Sequence, residues 1–108
     1  MLNGRVLHVV TFELNPGVLR GDPRAVDAAL ISEGHPRHIL EIESWRCGWD
    51  TSNRAEAVDF VVLATFASTS DLRAFQVHPD HARGKAAWSE IATWRVIDLV
   101  ESPDGGQT

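Results

Sequence analysis

The chain has no tyrosine and a single cysteine among its 108 residues. A lone Cys47 excludes an intrachain disulfide, so the core must hold without covalent staples. The thiol itself reads as a small buried apolar group rather than a nucleophile. No apolar run approaches the roughly 18–20 residues of a membrane helix, which excludes a spanning helix. Positive charge is too sparse for nucleic acid: ten Lys and Arg are scattered among fifteen Asp and Glu, for a formal charge of −5. A phosphate backbone asks for clustered basic residues, which are missing. The opening "MLNGRVLHVV" lacks the small-residue cleavage site of a signal peptide, and a cytoplasmic location is expected. Repeats and low-complexity segments are absent too. This length holds one core, expected over residues 1–102, with a disordered tail at 103–108.

What is present is strongly patterned. "RVLHVVTFEL" (5–14) alternates His8, Val10, Phe12 and Leu14 against Leu7, Val9, Thr11 and Glu13. Both faces are largely apolar, as in a strand covered on both sides. "NPG" at 15–17 is turn chemistry. Asp22 before Pro23 predicts a capped helix, "PRAVDAALISEG", with Val26, Ala29 and Leu30 as its apolar stripe and Gly34 as its stop. A loop carrying solvated His35 and His38 leads into a second strand over roughly 38–48, and the polar "WDTSNRAEA" turns into a third at 58–66. Ser68 with Asp71 forms a capping box for "SDLRAFQV". Pro79 breaks that helix and starts another, "PDHARGKAAWSEIATW", before the last strand "RVIDLVE".

The order is β-α-β-β-α-β, an α+β, ferredoxin-like arrangement: a four-stranded antiparallel sheet with helices on one face. The other face would carry Val9, Val61 and Leu63. An apolar patch of that kind marks an interface, so a homodimer through the sheet face is expected.

The pieces "HVVTFELNPGV" (8–18), Gly48, the Phe of "LATFAS" and above all "AFQVHPDH" (74–81) resemble the stress-responsive α/β-barrel (Dabb) domain proteins. These belong to the dimeric α/β-barrel superfamily. The resemblance spans nearly the whole chain and implies the same fold and dimer. Some relatives are stress-induced proteins without settled chemistry, whereas others are polyketide cyclases or lyases that use no cofactor. In those, the second His of H-P-x-H serves as acid or base, assisted by a Tyr six residues earlier. His81 matches that His, and His8 matches a His in strand one. Phe75 stands where the Tyr would be, with no proton to give and no hydroxyl for an oxyanion.

The candidate catalytic residues are therefore His81 and His8, since imidazole exchanges protons near neutrality. Each also has a structural reading: His81 bonded to backbone in the first helical turn, His8 satisfied within the core. Val10, Phe12, Trp45, Phe60, Phe75 and His78 are candidate ligand contacts, with His78 equally placed to cap the last helix. Trp88 and Trp94 read as core or cavity wall, and Trp49 as cover for the barrel end or the dimer edge. A metal site would need His78 and His81 joined by His8, Asp80 or Cys47, and no spacing requires that convergence, so no metal is expected. "RGD" at 20–22 is better explained by Asp22 as a helix cap than by cell adhesion. Two functions fit. One is a small cofactor-independent enzyme moving a proton alpha to a carbonyl of a flat, carbonyl-rich or aromatic ligand. The other is a non-catalytic dimer, stress-associated or ligand-binding.

Overall fold

Residues 4–101 are described by a computed structural model, and the expected tail lies outside them. The elements run β1 (Val6–Leu14), α1 (Pro23–His38), β2 (Ser44–Trp49), β3 (Phe60–Phe66), α2 (Thr69–Gln76), α3 (Pro79–Ser89) and β4 (Ala92–Val100). The sheet order is β2-β3-β1-β4, with every pairing antiparallel. This is the ferredoxin-like fold, with the long β1 at its centre.

The two-residue period of β1 decides what each face does. Val6, His8, Val10 and Phe12 are buried beneath the helices, whereas Leu7, Val9 and Thr11 are half-buried on the opposite face. Across the ladder, Val10 opposes Val62 and Val96, and Phe12 opposes Phe60 and Trp94. At the Phe12 end the aromatic side chains pack into one cluster. Trp88 stacks on Phe12 with ring centroids 4.3 Å apart, Phe60 sits 4.9 Å from Trp88, and Trp49 sits 4.9 Å from Phe60. Burying the Trp88 indole requires a partner for its N–H. Nε1 donates to Ser32 Oγ of α1 at 2.9 Å.

The caps are those expected from sequence. Asp22 Oδ1 accepts from the Arg24 amide, Ser68 Oγ from that of Asp71, and His78 Nδ1 from that of Asp80. Each satisfies an amide that the first turn leaves unbonded.

Expectations for three elements are corrected. The first helix passes through Gly34 and Pro36 and ends only at His38. Gly34 keeps a negative φ, so it supplies no left-handed stop. The buried stripe of α1 is Ala25, Ala28, Ala29, Ser32 and His35, whereas Val26 and Leu30 are 45% and 57% exposed. Small side chains win that face because α1 packs closely against α3 as well as the sheet. His35 therefore lies in the helix and is buried, and only His38 is solvated. The second strand begins at Ser44, because residues 39–43 form a turn anchored by fully buried Ile39. The last helix ends at Ser89, and Trp94 belongs to β4 opposite Phe12. Thr93 and Trp94 suit a pleated surface, and the sheet takes them.

The open face of the sheet carries Leu7, Val9, Val61, Leu63, Ile97 and Leu99 in register, with Val9 between Leu63 and Ile97. Leu63, Ile97 and Leu99 are 38%, 55% and 49% exposed.

Candidate functional site

A cavity of about 250 Å³ opens between the sheet and helices α1 and α3. Its floor is His8, Val10 and Phe12 of β1, with Trp45 of β2 and Trp94 of β4 at the sides. Helix α3 supplies His81, Gly84 and Trp88, Phe75 comes from α2, and Ser32 and His35 come from α1. Lys85 adds an exposed ammonium group to the lining.

Three imidazoles meet here, each tied at the same nitrogen. His8 is 4% exposed, and its Nδ1 lies 2.5 Å from Oδ1 of Asp98 on neighbouring β4. His35 is 3% exposed, and its Nδ1 lies 2.7 Å from Oδ2 of Asp80. His81 is half-buried, with Nδ1 3.2 Å from the carbonyl oxygen of Gln76. Carboxylates and carbonyls accept, so in each ring Nδ1 donates and carries the proton. A neutral ring then holds its lone pair at Nε2. His78 is the opposite case, because its Nδ1 accepts the amide hydrogen of Asp80.

Electrostatics keep two of the rings neutral. Burial pushes the His81 pKa below its ordinary value, and the neighbouring His35 lowers it further. Burial likewise lowers His35, outweighing the hydrogen bond and charge of Asp80 that would raise it. Burial alone would raise Asp80. Hydrogen bonds from His35 and Arg83 more than offset it and hold the carboxyl low. Burial pushes the Cys47 thiol up, away from a reactive thiolate.

The expected site residues divide clearly. His8, Val10, Phe12, Trp45, Phe75 and His81 all line this cavity. Phe75 lies between the two expected catalytic histidines, its ring centroid 4.4 Å from His81 and 5.6 Å from His8. Phe60 does not line the cavity: it is 1% exposed, locked among Phe12, Trp49 and Trp88. His78 is absent from the lining as well, since its ring caps α3. Among the described residues no group of three or more His, Cys, Asp or Glu is arranged to hold a metal ion. The carboxylates of Asp98 and Asp80 are bonded to the Nδ1 atoms of His8 and His35.

Sequence reasoning put His35 in a solvated loop, named Asp80 only as a possible metal ligand, and missed Asp98. Extending the Ala25–Ala28–Ala29–Ser32 spacing by one turn would have brought His35 inward. Asp98 shares the alternating face of Trp94 and Val96, but its meeting with His8 depends on a strand register that is not visible in the sequence.

Solved structures share this architecture. A dimeric ferredoxin-like protein of unknown function from Thermobifida fusca is 22% identical, with 93% of each chain covered and a TM-score of 0.79. A hydroxynitrile lyase from Passiflora edulis is 15% identical, covering 94% of this chain and 97% of its own, at a TM-score of 0.77. By sequence, an uncharacterized protein of Streptomyces coelicolor is 33% identical over 93 residues, or 86% of this chain and 96% of the relative. The model of the stress responsive A/B barrel domain matches residues 6–101, and the chain belongs to that family.

Proposed function

We propose that the cavity binds a small, flat, carbonyl-rich or aromatic ligand and that His81 moves a proton at a carbon alpha to a carbonyl. The observation that carries this reading is the convergence of His8, His35 and His81 on one aromatic-walled cavity, each with Nδ1 already engaged. Neutral His81 offers a lone pair at Nε2, which takes the α-proton. The C–H electron pair becomes the enolate double bond, and the carbonyl π pair moves onto oxygen. No cofactor is needed for such a step. Lyase chemistry in a protein of the same fold, the Passiflora hydroxynitrile lyase, supports the reading.

A non-catalytic ligand-binding role is favoured by one feature. Phe75 lies against His81 and supplies neither proton nor hydroxyl to a developing oxyanion.

The protein works as a homodimer in this proposal. The uncovered row Leu7, Val9, Val61, Leu63, Ile97 and Leu99 is the seam, and relatives of this fold described as dimeric support it.

The two roles separate by NMR. With an aryl β-diketone in deuterated buffer, the enzyme reading expects α-proton exchange above the buffer rate, lost in His81→Ala without loss of fold. Tight binding with exchange at the buffer rate supports the binding role, and no binding rejects both.

A further inference from the structure

We infer that His35 is a ligand-contacting residue of this cavity and accepts a hydrogen bond from a phenolic or enolic hydroxyl of the ligand. This rests on the cavity being the ligand site proposed above. The His35 ring is oriented by the rest of the fold. Nδ1 donates to Oδ2 of Asp80, whose Oδ1 is held by Arg83 at 3.2 Å. Trp45 meets the ring edge-on at 5.5 Å and Phe75 at 6.3 Å, so it cannot easily turn over. The proton is thus placed on Nδ1, and Nε2 is left as a fixed acceptor.

That acceptor is open. Among the described residues Nε2 has no hydrogen-bond partner, and the buried, unpartnered side-chain nitrogen or oxygen is Nε1 of Trp45, not this atom. Gly84 of α3 shares the cavity wall beside it, and a Cβ built there would come within 2.8 Å of Nε2. A larger residue at 84 would cover the lone pair, and glycine leaves it uncovered.

A lone pair of this kind discriminates. When a flat ligand displaces water from the cavity, Nε2 is either satisfied by a donor or left bare. A site that hydrogen-bonds a hydroxyl rejects the analogue lacking it. The ligand class narrows accordingly, to aromatic bodies with a phenolic hydroxyl and to carbonyl-rich ones held as the enol.

The test compares 2-naphthol with 2-fluoronaphthalene, of similar shape but without a donor, by calorimetry at pH 7.5. The wild-type protein should bind the naphthol about tenfold more tightly, the size expected for one hydrogen bond. His35→Asn keeps an N–H for Asp80 but no Nε2 lone pair, and it should bring the two ligands to near-equal affinity. In ¹⁵N spectra of the wild-type protein, His35 should carry its proton on Nδ1, and naphthol should shift its Nε2 resonance. That measurement decides the matter should the variant fail to fold. Equal binding of both ligands overturns this inference and leaves the cavity reading intact. So does a preference that survives His35→Asn, or a proton found on Nε2. Failure of both ligands to bind removes both.

Discussion

The two faces of the central strand are built by one alternation and end in different situations. His8, Val10 and Phe12 point to the helices, where the chain itself closes over them and leaves one aromatic cavity. Leu7, Val9 and Thr11 point to the side that no helix of the described residues covers, beside exposed Leu63, Ile97 and Leu99. The covered face can tolerate polar groups because each imidazole finds an oxygen for its Nδ1. The open face is the reverse, apolar along its centre and lacking a partner among the described residues. A side chain's solubility thus follows less from its type than from what the fold puts opposite it.

The strongest way to break this contrast is to charge the open face. If that face is a dimer seam, Val61→Asp should remove dimer and fold together, because a carboxylate cannot be buried unpaired between two sheets. Sedimentation combined with circular dichroism reads both at once. A well-folded monomer would show that the face needs no cover.

On the covered face the most sensitive position is Gly84. Replacing glycine with alanine inside a helix gains up to about 1 kcal/mol from propensity. Here the new methyl group would meet the buried His35 ring at 2.8 Å, and the ring is held by Asp80. Overpacking of that sort costs about 1–3 kcal/mol, so Gly84→Ala should lower the urea midpoint rather than raise it. A rise would mean that the ring yields and is not fixed.

The smallest effect sharpens the comparison through pH. Burial lowers the folded-state pKa of His35 and His81, so the native protein takes up protons later than the unfolded chain. Above the unfolded value of about 6.5 both states are neutral and stability is at its full level. As pH falls below that, the unfolded chain protonates first, and stability declines until the folded-state values are passed. Each such proton contributes a slope of at most about 1.4 kcal/mol per pH unit. Urea midpoints should therefore fall between pH 7.5 and 5.5, and His35→Asn should flatten the decline. An unchanged slope would show that His35 titrates as an exposed residue would.

Local information carries a good part of this protein. The alternation of 5–14, the caps at Asp22, Ser68 and His78, and the proline that divides α2 from α3 are short-range steric and hydrogen-bonding effects, and they are legible without a structure. His8 and His81 could be picked out by type and position, and the cavity does contain both. The same local reading fails where two segments compete for one surface. Val26 and Leu30 are larger and more apolar than the alanines of α1, yet alanines and Ser32 take the inner face because α3 must approach there. His35 looks like a loop histidine until that packing turns it inward, onto a carboxylate 45 residues away. Asp98 reaches His8 only through the β1–β4 register. The sequence by itself determined the order and type of the elements, though not all their ends, and two of the imidazoles. Only the tertiary structure decided the third imidazole and the tautomers of all three, because a hydrogen bond between distant side chains depends on which surfaces are in contact, and no local preference encodes that.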